Sequence, residues 1–254
     1  MLLAIDVGNT NISLGLYRQA ELVGPWRLHT DPSQTADGMA ILARNLLELA
    51  ALEISQVRAI IIASVVPPLD SVLEEMAVRY FQTKPLFVGP GVKTGLAVVT
   101  DNPAEVGADR IVNGVAAYHK YGGPCVVADF GTAITFDAVS ARAEYLGGII
   151  CPGLGISAEA LFSRTARLPR IDLREPLKLI GANTVASMQS GLYYGTLGML
   201  DGILSRLVET LGPETKCVAT GGQAQIVARA SRYIRVIDEN LTLDGLRIIW
   251  EKNR

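Results

Sequence analysis

Two stretches of this chain repeat one pattern. Residues 2–5 are apolar and lead into Asp6-Val7-Gly8-Asn9-Thr10, after which Ile12, Leu14 and Leu16 alternate with small or polar residues. Residues 125–128 are again apolar and lead into Asp129-Phe130-Gly131-Thr132-Ala133, after which Ile134, Phe136 and Ala138 alternate. Each stretch reads as a buried strand, a polar turn and a second, half-buried strand. From Asp6 to Asp129 is 123 positions, close to half of the 254 residues. A repeat on that scale predicts two copies of one fold, each opening with strand, Asp-x-Gly, strand.

The surrounding pattern is α/β. Residues 21–28 supply a third strand, joined to the second by a short connection, so the first half opens with an antiparallel meander. Met39, Leu42, Leu46 and Leu49 recur at helical spacing behind Thr35, a suitable N-cap. "RAIIIASVV" is a strand closed by Pro67-Pro68. Val72, Leu73, Met76 and Tyr80 mark a helix, and "PLFVG" another strand. Asn102-Pro103 starts a helix that runs past Ile111 and Val115 to Gly122. In the second half, "EYLGGII" is a strand, and a helix covers 158–167. A long helix begins at Asn183-Thr184 and reaches about Leu211. "CVATGG" is a strand ending in two glycines. Residues 226–230 and 241–250 read as helices. Strand and helix alternation of this kind implies a partly parallel sheet. The expected domains are 1–117 and 118–254.

Bulk properties exclude several functions. The net charge is −2 and no basic run stands out, which argues against nucleic acid or an anionic membrane as partner. The apolar run at 59–66 is too short to span a bilayer. Asp6 interrupts the first apolar run and no basic segment precedes it, so no secretory signal is read there. Three scattered cysteines and two distant histidines make a structural zinc site improbable and suit a reducing, cytoplasmic setting. His29 and His119 read as ordinary residues rather than catalysts. The 49% hydrophobic content is high and suggests extra buried surface such as a subunit interface.

A carboxylate at the end of a buried strand is costly to desolvate without a partner. Gly8 lets the backbone turn tightly and approach a ligand. Asn9, Thr10 and Asn11 add amide, hydroxyl and main-chain donors. Such loops suit phosphate oxygens, and Asp6 or Asp129 suits the accompanying cation. One loop alone would be read as an Asx-type turn; its duplication favours the functional reading. Other nucleotide modes are absent. There is no G-x-x-x-x-G-K-[ST], and "GPGVKTG" lacks the dinucleotide-binding spacing.

Asp6-x-Gly8-Asn9-Thr10-Asn11, "NPAEVGADRIVN", "DFGTA", "NTVASMQSGLYYG" and "ATGG" occur in this order along nearly the whole chain. The set resembles type III pantothenate kinase, of the acetate and sugar kinase/Hsp70/actin superfamily. The resemblance implies duplicated ribonuclease H-like (actin-like ATPase) domains with mixed five-stranded sheets and flanking helices. It implies ATP-dependent phosphorylation of pantothenate to 4′-phosphopantothenate, the first step of coenzyme A biosynthesis. A non-catalytic, nucleotide-responsive accessory protein of the same fold is the alternative.

The resemblance also implies roles. Asp109 becomes the general base; read from the residues alone, it is a carboxylate favouring a helix dipole. Gly107, Ala108, Arg110, Thr100 and Thr184 join it at the pantothenate site, with Arg110 a clamp for the substrate carboxylate or a structural pair. Thr184 is implied to come from the other subunit of a homodimer. Asp6, Gly8, Asn9, Thr10, Asn11, Thr132, Gly221 and Gly222 are implied in ATP binding. Asp129 is implied to hold a monovalent cation, K⁺ or NH₄⁺, and Mg²⁺ accompanies the nucleotide, with Asp6 a candidate ligand. One position departs from the family. Many relatives carry tyrosine just before "DNP", where this chain has Thr100, which puts the wall of the pantothenate pocket in question.

Overall fold

The computed structural model describes residues 1–254. Its strands are β1 (Leu2–Val7), β2 (Asn11–Arg18), β3 (Glu21–His29), β4 (Ala59–Ser64), β5 (Leu86–Phe87), β6 (Ala97–Val98), β7 (Cys125–Phe130), β8 (Ala133–Val139), β9 (Glu144–Pro152), β10 (Lys216–Thr220) and β11 (Val236–Ile237). Its helices are α1 (Ala36–Leu49), α2 (Asp70–Phe81), α3 (Ala108–Tyr121), α4 (Leu154–Ser163), α5 (Thr184–Leu211), α6 (Ala224–Val227) and α7 (Leu241–Asn253).

The first unit holds Met1–Leu96, Asn102–Ala116 and Asn240–Arg254. Its five-stranded sheet has the order β3-β2-β1-β4-β5. The first three strands form the expected antiparallel meander, and β4 and β5 add in parallel, with Asp6 level with Ala63. This is the ribonuclease H-like arrangement. α1 and α2 cover one face, where Met39, Leu47, Leu73 and Met76 pack on Leu3, Ile5, Ile60 and Ile62. Thr35 starts α1 by accepting the Gly38 N–H at 3.1 Å. The opposite face carries α7. There Gly15 leaves room for Leu243, and Gly245 lets α7 approach so closely that a Cβ would overlap Val112 O. With both faces covered, β4 is an unbroken apolar run rather than an alternating one. Each of its fully buried isoleucines contributes about 1.5–3 kcal/mol over exposure.

The second unit holds Ala97–Asp101 and Ala117–Glu239. Its sheet runs β11-β10-β7-β8-β9-β6. Five strands repeat the first topology: an antiparallel meander β7-β8-β9, then β10 and β11 in parallel. α5 and α6 pack on one face, with Leu200 and Leu204 against Val126, Ala128 and Phe136. On the other face Asp137 is fully buried, accepting from Tyr145 Oη at 2.6 Å and Thr135 Oγ1 at 3.1 Å.

Several expectations are corrected. The second sheet has six strands, not five, because β6 adds in parallel to β9; two residues carry no legible alternation. The units are not contiguous halves cut after residue 117. The division falls inside α3 after Ala116, residues 97–101 go to the second unit, and the C-terminal segment goes to the first. Leu241, Leu246 and Ile249 of α7 are fully buried and need the sheet face carrying Ala4 and Gly15. Asn102 caps a separate short turn, Pro103–Glu105, by accepting from Ala104 N at 3.3 Å, and α3 starts only at Ala108. α4 begins inside "PGLGIS", at Leu154, and ends at Ser163 rather than near Arg167.

Candidate active site

In the first unit the site gathers at the carboxyl ends of the parallel strands, where open α/β sheets place their ligands. β1 ends at Val7, and the 8–11 hairpin closes with Gly8 N–H donating to Asn11 O at 3.0 Å. Thr30, itself buried, fastens the loop: its Oγ1 donates to Gly8 O at 2.6 Å and its N–H to Thr10 O at 3.0 Å. Asn9, Thr10 and Asn11 are left exposed on this fixed frame, while Asp6 is half-buried at the strand end.

Asp109 reaches the same end. A Cβ on Gly107 would lie 2.5 Å from Asp109 Oδ1 and 3.5 Å from Val65 Cγ1, so the carboxylate sits beside the residue that follows β4. A side chain at Gly107 would require the Asp109 carboxylate to shift. Asp109 Oδ1 accepts the Arg110 N–H at 2.8 Å. Burial lifts the Asp109 carboxyl above the usual carboxylate range, and the Arg110 N–H and guanidinium only partly oppose it. A carboxyl with a raised pKa is a better proton acceptor than an ordinary surface aspartate. Ala108 and Arg110 flank it, both half-buried.

The second unit repeats the device. Gly131 N–H donates to Ala133 O at 3.0 Å, leaving Thr132 exposed at the tip. Two glycine segments close on this hairpin. Gly221, at φ +92°, passes so near that a Cβ would overlap Asp129 Oδ1 and the Phe130 backbone; Gly153 would overlap Thr132 O. Gln223 N–H then donates to Phe130 O at 3.3 Å. Asp129, Thr132, Gly221 and Gly222 are therefore neighbours.

Thr184 is the first residue of α5 and is exposed; Asn183 is the cap, accepting Ala186 N–H at 2.9 Å. Thr184 lines an apolar cavity of about 520 Å³ with Leu161, Leu168, Met188 and Leu192. Thr100 follows β6. Its Oγ1 is buried without a hydrogen-bond partner, and its Cγ2 lies 3.7 Å from where a Cβ of Gly147 would stand.

Comparison with known proteins decides what this arrangement belongs to. The type III pantothenate kinase of Solibacter usitatus (strain Ellin6076) is 59% identical over 253 residues, covering 100% of this chain and 97% of that protein. That of Koribacter versatilis (strain Ellin345) is 57% identical over 264 residues, covering 100% and 96%. The type III pantothenate kinase family model matches residues 2–206. The chain belongs to the type III pantothenate kinase family.

Type III pantothenate kinases are transferases that phosphorylate pantothenate with ATP, and this chain is an enzyme of that class. Two solved structures share its fold. One is a conserved Campylobacter jejuni protein assigned to the Baf family of transcriptional activators (TM-score 0.61, 20% identity, 99% of this chain and 98% of that one). The other is the ethanolamine utilization protein EutJ of Carboxydothermus hydrogenoformans (TM-score 0.58, 12% identity, 97% and 89%). At those identities only the fold is shared.

For a pantothenate kinase the donor sets suit the ions that kinase chemistry needs. A magnesium ion commonly rides on nucleotide phosphates with one or two protein carboxylates. No cluster of three or more His, Cys, Asp or Glu offers a cage instead. His29 and His119 are exposed; His29 is the strand partner of Asn11 and His119 lies near the C-terminal end of α3. Sequence reasoning missed Thr30 and Gly153. Neither residue carries a motif of its own.

Proposed function

We propose that the chain transfers the γ-phosphoryl group of ATP to the terminal hydroxyl of pantothenate, with Asp109 as general base. The observation that supports this most is the half-buried Asp109, whose carboxyl group lies close to Gly107 and has its pKa raised by desolvation. Phosphoryl transfer is mainly positioning and charge stabilisation, with one carboxylate orienting the nucleophile. Asp109 takes the hydroxyl proton as the oxygen attacks phosphorus. The guanidinium of Arg110 clamps the carboxylate of pantothenate. Each unit carries its own candidate phosphate donors: Asn9, Thr10 and Asn11 with the backbone of Gly8 in the first, and Thr132 in the second. Mg²⁺ supplies charge neutralisation on the phosphates when bound, with Asp6 nearby. Asp129 holds a monovalent cation, and Gly221 and Gly222 leave space for the nucleoside.

The enzyme works as a cytoplasmic homodimer with Thr184 completing the partner's site. Support comes from α5, where Gly191, Gly195 and Gly198 face open space, so a second helix can approach closely. Val185, Tyr194, Ile150 and Ile156 are exposed apolar residues on α5, β9 and α4. A closed two-fold contact is the commonest symmetric solution.

Purified protein with ATP, Mg²⁺ and K⁺ should release ADP only when pantothenate is present. ADP release that ignores pantothenate would overturn the substrate assignment. For the dimer, co-expressed Asp109→Asn and Thr184→Arg chains, each inactive alone, should regain part of the activity in the purified heterodimer. An active monomer in sedimentation would refute the shared site.

A further inference from the structure

Two glutamines follow the 220–222 turn, and the fold uses them differently. Gln225 is committed on both sides: its Nε2 donates to Glu239 Oε1 at 2.7 Å, and its Oε1 accepts from Arg229 Nε at 2.6 Å. Gln223 is held only by its backbone, through the bond to Phe130 O that ties the turn to the 129–133 hairpin. Its carboxamide makes no hydrogen bond within the chain. That carboxamide is nonetheless placed. Its Nε2 lies 3.7 Å from where a Cβ on Gly155 would stand, so the half-buried side chain lies across the first turn of α4.

We propose that Gln223 reads the base of the nucleotide and sets a preference for adenine over guanine. The inference rests on the reading of the 129–133 hairpin and the Gly221–Gly222 turn as an ATP site. β7 and β10 are parallel neighbours, and Asp129 is level with Thr220, so hairpin and turn lie side by side at the carboxyl ends of their strands. Phosphates held at the hairpin leave the nucleoside to extend over two glycines that present no side chain. The first side chain beyond them is Gln223. A carboxamide offers one donor and one acceptor in a plane, which matches the amino donor and ring-nitrogen acceptor on one edge of adenine. The same edge of guanine shows two acceptors, and a single amide cannot satisfy both.

The test compares ATP with GTP as phosphoryl donor at saturating pantothenate, in wild type and in Gln223→Ala, with calorimetric binding of both nucleotides alongside. Wild type should favour ATP, and Gln223→Ala should reduce that preference about tenfold or more, mostly through the KM for ATP. The pantothenate KM and the thermal melt should not move. An unchanged ATP-to-GTP ratio in the variant, in turnover or in binding, overturns the proposal, as does a wild type indifferent to the base. Failure of the underlying reading looks different: wild type would then release no pantothenate-dependent ADP with either nucleotide.

Discussion

Asp129 Oδ1 occupies the space that a Cβ on Gly221 would need, and Gly221 accepts this by standing at φ +92°. The carboxylate that ends β7 and the glycine that ends the β10 turn are thus built as one corner. A positive φ costs a non-glycine residue about 1–2 kcal/mol, and the overlap with Phe130 adds to it.

Gly221→Ala should therefore destabilise the fold by about 2 kcal/mol or more and weaken ATP binding by displacing Asp129. Denaturant unfolding and nucleotide titration check both. A variant as stable as wild type, with unchanged affinity, would show that the corner is not tight.

Asp109→Asn should lower kcat by about 10²–10⁴-fold while nucleotide binding persists. Retention of half the wild-type rate would remove Asp109 from the base role. The same residue carries a stability signature. Its folded pKa is raised above its unfolded value, so the stability it contributes is present below the unfolded pKa and is lost as pH rises through the folded pKa. The ionised carboxylate thus opposes folding at neutral pH, and the variant should melt higher than wild type there. In wild type, kcat/KM should fall on the acid side at a pH above the ordinary carboxylate range. A melt at pH 7 lower than wild type would contradict the burial argument.

Activity should depend on a monovalent cation. Exchanging K⁺ for Na⁺ or for a bulky organic cation should depress turnover, and Asp129→Ala should erase the difference between salts. Equal rates in all three salts would rule out a cation at Asp129.

Thr100→Val keeps the side-chain shape and deletes a hydroxyl whose oxygen is buried without a partner. Such a group costs about 1–3 kcal/mol, so the variant should gain about 2–12 °C in melting temperature. If the hydroxyl serves the substrate, the pantothenate KM rises while the ATP KM holds. A stabilised variant with unaltered KM for both would take Thr100 out of the pocket.

Much of this was legible in the residues, for identifiable reasons. The strands around Asp6 and Asp129 announce themselves because apolar runs and alternation report burial directly. Thr35 was readable as a cap because capping is a local chemistry. α7 was recognisable as a helix but not as part of the first unit, since its partners, Ala4 and Gly15, are small residues more than 220 positions away. α5 carries Gly191, Gly195 and Gly198 facing open space, a feature that hydrophobic periodicity does not report. Gln223 and Thr30 act through placement alone, and no motif marks them.

The most direct measurement is the identity of the product. Mass spectrometry of a reaction containing ATP, Mg²⁺, K⁺ and pantothenate should find pantothenate carrying one added phosphoryl group on its terminal hydroxyl, formed in equal amount to ADP. ADP formed without phosphorylated pantothenate, or phosphate attached elsewhere on the substrate, would contradict the account.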